Sequence, residues 1–373
     1  MDTPTWPALI RTLINGQALS ADQAAWAMNE IMEGAASPAR IAGFGVALRA
    51  KGETVEEMAG LASAMLAHAT PISVPGPVTD LVGTGGDGAH TVNVSTMATI
   101  VAAACGVRMA KHGNRAASSA CGAADVLEAL GVIIDLPPSA TVALAQEIGV
   151  AFLFAPLYHP GFRHTGPVRR ELGVPTAFNF LGPLTNPTRP SSVAAGVADP
   201  RMGGVLAEVL AARGNSALVF HGGGLDELTT TGPSVVWVVG NGAVVATEFD
   251  PLAVGLPRAL VDDLRGGDAA RNADVVRAVL AGEPGPVRDI VLLNAAAAIA
   301  ASEGLGAVVD GYAAAGASGT APAEAKRAVA EGLRKVLEAG IARGAEAIDS
   351  GAAAQLLARW AEASHRLAIP GQR

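Results

Sequence analysis

Residues 78–131 hold two successive units in which a short apolar run ends in a glycine-rich or polar loop and an apolar helix follows. In the first, a β-branched run over 78–82 leads into Gly83-Thr84-Gly85-Gly86-Asp87-Gly88, with Thr91, Asn93, Ser95 and Thr96 ahead of a helix expected over 97–105. In the second, a strand expected over 107–110 leads into Lys111-His112-Gly113-Asn114-Arg115, with Ser118 and Ser119 beyond. Such units assemble into parallel sheets, and α/β folds place ligands at the carboxyl ends of those strands. The alternation continues with strands over 132–136, 150–154, 192–197 and 216–221 and helices over 124–130, 140–148 and 202–213. Strands over 235–239 and 243–249 around Gly240-Asn241-Gly242 read as a hairpin. Helices are expected over 269–281, 287–301, 322–347 and 352–364, and the Ala/Gly-rich stretch 305–320 is expected to be a mobile surface loop.

The chemistry this loop pair suits is phosphate binding. Glycine lets main-chain N–H groups approach a bulky anion closely. A helix beginning at Ser95–Thr96 offers unpaired N–H groups and the positive end of its dipole. Lys111 adds a full charge, and the hydroxyls of Thr91, Ser95, Ser118 and Ser119 can bond phosphate oxygens or hold magnesium. Either loop alone reads equally well as an ordinary turn with hydroxyl helix caps; two in adjacent units, with a lysine, favour the anion. The glycine loop has neither the Lys-Ser/Thr pair of a Walker loop nor the GxGxxG spacing of a dinucleotide site.

The region before this pair is helical throughout. A helix over 6–15 stops at Gly16, Ser20 with Gln23 forms a capping box, Ser37-Pro38 opens a third helix that Gly52 ends, and Thr54 with Glu57 caps a fourth. Four short helices form a small unit that buries its apolar faces on a second copy or on a later helix. The stretch 70–77, with Pro71, Pro75 and Gly76, is expected to be a hinge. The fold class is thus α/β, a small N-terminal helical domain plus a larger α/β domain.

A formal net charge of -8 argues against nonspecific nucleic-acid binding, which depends on Lys and Arg neutralising phosphates. Two cysteines suggest neither a disulfide framework nor a metal site; Cys105 is expected to be a small buried side chain and Cys121 a loop thiol. No secretory pattern opens the chain, and the apolar run 290–301 is too short for a membrane span and carries Asn294. A reduced cytoplasmic location is the expectation.

Residues 155–187 fit one helix, over 162–172, within a long loop of the kind usually tied to function. The segment carries His159, Arg163, His164, Arg169, Arg170, Asn179 and Asn186. Arg169 and Arg170 suit bidentate capture of a carboxylate, or pairing with Glu171 as solvated helix charges. The histidines are better read as structural hydrogen-bonding groups than as catalysts. The acid pair Asp226-Glu227, after Gly222-Gly223-Gly224-Leu225, suits magnesium with a substrate phosphate, or a turn exposed to water.

Taken together, GTGGDG, TVNVST, KHGNRAASS, ADVLEALG, FNFLGPLTNP, LDE and GAAAQLLARW, with ALRAKGET near the start, resemble the anthranilate phosphoribosyltransferase family over nearly the whole chain. The FRH before PVRREL resembles the actinobacterial branch. The resemblance implies a nucleoside phosphorylase/phosphoribosyltransferase-like fold: a helical domain over 1–73, joined by the helix near 160–175, and a phosphoribosyl-diphosphate-binding domain over 77–365. It implies transfer of the phosphoribosyl group of 5-phosphoribosyl-1-diphosphate to the amine of anthranilate, with Mg²⁺ as cofactor, in tryptophan biosynthesis. It further implies a homodimer formed through the helical part. Carried over motif by motif, Gly83, Gly86, Asp87 and Thr91 contact the donor, as do Asn93, Val94, Ser95 and Thr96. So do Lys111, His112, Gly113, Asn114, Arg115, Ala116, Ala117, Ser118 and Ser119. Ser95, Asp226 and Glu227 hold the metal, and Gly83, Asn114 and Arg169 hold anthranilate, with Lys111 and Arg169 as the catalytic pair. His112 and Pro183 line the aromatic channel. Ala123 stands where the family often has a donor-binding Ser, Pro175 where many members have Arg, and Arg40 where many have Gln. A pyrimidine nucleoside phosphorylase shares the architecture but differs in its loops. A nucleic-acid-binding relative would need a basic groove and would lack the Arg169 and FNFLGPLTNP elements.

Overall fold

The computed structural model describes residues 4–116, 120–317 and 322–368. Four helices come first: α1 (Trp6–Ile14), α2 (Ala21–Met32), α3 (Pro38–Lys51) and α4 (Val55–Ala67). Both expected capping boxes form, Ser20 with Gln23 and Thr54 with Glu57. Glu57 does more than cap. Its buried carboxylate also accepts the Leu19 N–H at 2.9 Å and the Lys51 ammonium at 2.8 Å, tying three connections of the bundle together.

Then follow β1 (Thr79–Gly83), α5 (Val94–Ala104), β2 (Met109–Gly113), α6 (Ala123–Ala129), α7 (Pro138–Glu147), β3 (Val150–Phe154), α8 (Ala155–Tyr158) and α9 (Thr165–Leu172). The chain continues through β4 (Ser192–Gly196), α10 (Pro200–Ala212), β5 (Ser216–His221), β6 (Ser234–Gly240) and β7 (Ala243–Phe249). It ends in α11 (Ala269–Leu280), α12 (Pro286–Glu303), α13 (Gly306–Ala317), α14 (Pro322–Asp349) and α15 (Ala352–Leu367). The sheet order is β3-β2-β1-β4-β5-β6-β7. Strands from β3 to β5 run parallel, and β6 and β7 add an antiparallel hairpin at the edge. Asn241 and Gly242 turn that hairpin with φ of 51° and 75°, the left-handed pair a tight two-residue turn requires.

Strand side chains alternate between faces. Leu81, Ala194, Leu218 and Phe220 join one apolar core with α5, α12, α14 and α15. Val82, Val193, Ala195, Ala217 and Val219 join another with α10 and the N-terminal helices. That second core also takes in Val168 of α9, Phe178 and Leu184, so the helical unit does pack against a later helix.

Several expected elements shift. β2 starts at Met109 and runs to Gly113, so Lys111 and His112 are buried strand residues and not loop tips. α5 begins at Val94, which puts Ser95 in its first turn. Residues 132–136 form no strand: Val132, Ile134 and Leu136 are buried in the first core, and the Ile133 N–H donates to Ser364 Oγ of α15 at 2.9 Å. The expected helix over 162–172 is a 3-10 turn at Pro160–His164 followed by α9. The stretch expected to be a loop over 305–320 forms α13, because its alanines favour helix more than its glycines oppose it; 318–320 lie outside the described residues. The cysteines reverse, Cys121 being buried and Cys105 half-buried. The apolar run 290–301 is the buried heart of α12, and no helix among the described residues is long and apolar enough to cross a membrane.

Candidate active site

Strand order reverses between β1 and β4, the point at which a doubly wound sheet opens a crevice at its carboxyl edge. Gly83 ends β1 and stands opposite Gly196 at the end of β4. Both must be glycine because the Asp226 segment passes directly over them. A Cβ on Gly83 would lie 2.2 Å from Asp226 Oδ2, and one on Gly196 would lie 1.7 Å from the Asp226 main-chain oxygen. The loop after β1 then turns through Gly85, Gly86 and Gly88 at positive φ, and the Gly85 N–H donates to Asp226 Oδ2 at 2.7 Å. The first glycine loop is therefore joined to the acid pair that lies 141 residues further along.

Glu227 is buried, and its Oε1 accepts the Ser95 N–H from the first turn of α5 at 3.2 Å. Buried Asn294 of α12 braces the same segment, donating to the Leu228 carbonyl at 2.8 Å and accepting the Leu228 N–H at 3.0 Å. Lys111, only 2% exposed, reaches across from β2 and donates to Ser95 Oγ at 3.1 Å and to the Leu81 carbonyl at 2.6 Å. Loss of water and the nearby Asp87 carboxylate push Asp226 up to about 7. Burial, and then the Asp226 charge, push Glu227 well above the usual carboxylate range. Burial pulls Lys111 below its ordinary value, opposed by Asp80, Glu227 and Asp226.

Three carboxylates thus crowd one ammonium. Among the described residues no group of three His, Cys, Asp or Glu forms a ready metal cage. The donor set nevertheless fits magnesium, which takes one or two carboxylates and completes its shell with water and substrate phosphate. A dication would also offset the carboxylate repulsion that adds to burial in raising both acids.

The remaining expected site residues distribute as follows. Thr91 bridges to Arg265, and Asn93 donates to the Cys121 carbonyl while accepting from Asn272. Val94 and Thr96 are buried in the first turn of α5. Gly86 faces open space, and Asp87 Oδ1 accepts the Ala89 N–H. His112 sits on the β2 face opposite Lys111, its Nδ1 3.2 Å from the Gly182 carbonyl beside buried Pro183 and its ring 5.3 Å from that of His159. Burial, then the neighbouring His159, take His112 down to about 3. His159 has the structural hydrogen bond expected of it, 2.7 Å to the Thr185 carbonyl. Gly113 packs under the Phe152 ring and beside Ala123. Asn114 Oδ1 accepts the Arg115 N–H, and Ala116 N–H donates to Asp125. The Arg115 guanidinium is committed to Asp125 and Glu128 and lies over the Phe154 ring. Ala117, Ser118 and Ser119 lie outside the described residues.

Arg169 makes no ion pair among the described residues, so pairing with Glu171 is not what holds it. Its guanidinium lies 5.7 Å from the Phe162 ring centre, and burial pulls it below its ordinary value. An unpaired, half-buried guanidinium is a natural receptor for a carboxylate. A cavity of about 300 Å³ between α3 and the glycine loop is lined by Arg49, Gly85, Gly86, Pro175, Asn179, Phe180, Ala198, Asp199 and Pro200. Arg49 there binds Glu53 and Asp199 and lies over Phe180. Sequence reasoning did not single out Asp80, Asp199 or Arg49 as site neighbours, since each looks like an ordinary strand or helix-end charge.

Fold and crevice together define a glycosyl transferase. The chain matches the glycosyl transferase family helical bundle domain over residues 7–69 and the glycosyl transferase family a/b domain over residues 75–354. It belongs to the anthranilate phosphoribosyltransferase family. It is 56% identical over 365 residues to the enzyme of that name from Thermobifida fusca, covering 98% of each chain. Its fold superposes on the crystal structure of anthranilate phosphoribosyltransferase from Thermus thermophilus with a TM-score of 0.82 at 41% identity, covering 96% of this chain and 99% of that one. The enzyme from Saccharomyces cerevisiae, solved in complex with PRPP and Mg, matches with a TM-score of 0.80 at 26% identity over 97% and 98% of the two chains.

Proposed function

We propose that this chain transfers the phosphoribosyl group of 5-phosphoribosyl-1-diphosphate to the amine of anthranilate, giving N-(5-phosphoribosyl)anthranilate and pyrophosphate in tryptophan biosynthesis. The supporting observation is the closed set of contacts that joins the glycine loop, Ser95, Lys111, Asp226 and Glu227 at one edge of the sheet. The bond from the anomeric carbon to the diphosphate oxygen breaks, and its electrons leave with the pyrophosphate. The amine nitrogen bonds to that carbon and releases a proton to solvent.

Lys111 and the N–H groups of the glycine loop stabilise the departing charge, held in place before it develops. Ser95, Asp226 and Glu227 would hold magnesium, which would supply further charge neutralisation to the diphosphate. An aryl amine is neutral near pH 7 and needs no strong base. His112, held neutral by its burial, is suited to lining an apolar channel beside Pro183 rather than to carrying a proton. Arg169 receives the anthranilate carboxylate, and Asn114 with Gly83 orients the ring. Gly83, Gly86, Asp87, Thr91, Asn93, Val94, Ser95, Thr96 and the segment 111–119 surround the donor. For Arg115 this requires exchanging Asp125 and Glu128 for phosphate.

The domains of this reading are 1–73, extended by the helix near 160–175, and 77–365. Closure between them excludes water from the donor. Assembly as a homodimer through the helical part is supported by the exposed apolar side chains Ile14 and Val46 on α1 and α3. The cytoplasm is the expected location. The test is loss of anthranilate fluorescence on adding donor and Mg²⁺ to purified protein. Persistence of the emission under those conditions, with thymidine and phosphate releasing free base instead, would replace this reading with a phosphorylase.

A further inference from the structure

β1 and β2 lie side by side but pair as a ladder only at Thr79↔Met109, whereas β1 pairs with β4 and β2 with β3 through five residues each. The Thr79 N–H donates to the Arg108 carbonyl, which sets the phase of the ladder. Continued by one step, that ladder would send the His112 N–H to the Leu81 carbonyl and the Leu81 N–H to the Ala110 carbonyl. Side chains take these groups instead. The His112 N–H donates to Asp80 Oδ1 at 3.1 Å. The Leu81 carbonyl accepts Lys111 Nζ at 2.6 Å. The Ala110 carbonyl accepts Asn186 Nδ2 at 2.7 Å, and the same amide donates to Asp80 Oδ2 at 2.9 Å. Asn186 is itself fixed, since its Oδ1 accepts both the Thr188 N–H and the Thr188 hydroxyl. Asp80 is fully buried and Asn186 nearly so.

Resting on the phosphoribosyl-transfer reading, we propose that Asp80 and Asn186 are positioning residues: they hold the carboxyl ends of β1 and β2 apart so that the Leu81 carbonyl anchors the Lys111 ammonium beside Ser95. A paired ladder would satisfy Leu81 with His112 and leave the lysine without this anchor. The two residues lie 106 positions apart, on the first sheet strand and at the end of the FNFLGPLTNP segment. That segment therefore shapes the diphosphate end of the site as well as the helical side.

The test is a double-mutant cycle on the full-length protein with inorganic pyrophosphate and Mg²⁺, followed by calorimetry, alongside the KM for the sugar diphosphate. Asp80→Asn keeps the shape of the side chain and removes its charge; Asn186→Leu removes both amide donors. Each is expected to weaken pyrophosphate binding about tenfold, the loss typical of one charge-assisted hydrogen bond. In a Lys111→Met background the same changes should cost less than about twofold, whereas in an Arg169→Ala background the full loss should persist. Equal losses in the Lys111→Met and unaltered backgrounds would overturn the proposal and leave a purely structural role. If Asn186→Leu does not fold, Asp80→Asn with the same backgrounds decides the matter. Pyrophosphate binding needs no anthranilate, so a chain that binds pyrophosphate but leaves anthranilate unchanged refutes the proposed reaction and not the wedge. A chain that binds no pyrophosphate refutes the role given to Lys111, and the wedge with it.

Discussion

Gly83→Ala and Gly196→Ala differ by one strand position in space, yet they should fail in different ways. On Gly83 the new Cβ would lie 2.2 Å from Asp226 Oδ2 and 2.9 Å from its Cγ. Ordinary contact requires the carboxylate to retreat by about 1 Å. A retreat of that size stretches the 2.7 Å bond from the Gly85 N–H beyond hydrogen-bonding range. Losing a hydrogen bond to a charged group costs about 1.5–3 kcal/mol, which is roughly a 10- to 100-fold change in an affinity that depends on that carboxylate. On Gly196 the Cβ would lie 1.7 Å from the Asp226 main-chain oxygen and 2.3 Å from its carbonyl carbon. No rotamer relieves that clash, so the strand or the 222–227 turn must move, at a typical overpacking cost of about 1–3 kcal/mol. Gly83→Ala should therefore raise the Mg²⁺ concentration needed for half-maximal turnover by about 10- to 100-fold with only a small fall in Tm. Gly196→Ala should lower Tm distinctly. Turnover titrated against Mg²⁺, paired with calorimetric melting, separates the two. An unchanged Mg²⁺ titration in a folded Gly83→Ala variant would refute the placement of Asp226 as a metal-holding group.

Three further outcomes are expected. Arg169→Ala should raise the KM for anthranilate by about tenfold or more while changing that for the donor little, and a change confined to the donor would remove Arg169 from the carboxylate. His112, depressed to about 3 by burial and by His159, should show no titration by NMR between pH 5 and 8. Because its folded pKa lies below its ordinary value, the stability it contributes is present above about pH 6.5 and is lost as pH falls toward 3, by up to about 1.4 kcal/mol per unit; the slopes of stability against pH of the unaltered chain and His112→Asn should differ chiefly in that window. Arg49→Met should cost about 1–2 kcal/mol in denaturant unfolding, a discounted value because Arg49 and Asp199 both retain some contact with water. Arg201 and then Arg49 hold Asp199 well below the usual carboxylate range, so the stability of that pairing is present above about pH 3.8 and fades as pH falls below it. The fading should be weaker in Arg49→Met.

Much of the fold was legible along the chain because its signals are local. Ser20 with Gln23 and Thr54 with Glu57 satisfy helix-end N–H groups within four residues, and both boxes form. β3, β5 and β7 begin and end where alternation and turn residues place them. The run 132–136 misled because a buried, β-branched segment has the same composition whether its main chain bonds a neighbouring strand or a serine on α15. The Ala/Gly-rich stretch that forms α13 misled because its glycines suggest a loop while its alanines carry the helix.

By itself the sequence determined that polar tips follow apolar strands, that an anion suits those tips, and that the motif set belongs with one enzyme family. Only the tertiary structure decided that Lys111 is a strand residue in contact with Ser95, that Gly83 and Gly196 make room for Asp226, and that Asp80 and Asn186 keep β1 and β2 apart. The physical reason is range. Capping, turns and alternation are contests between groups a few residues apart, whereas a buried or half-buried carboxylate is satisfied by whichever donors the sheet order brings beside it, and here those come from more than 100 positions away.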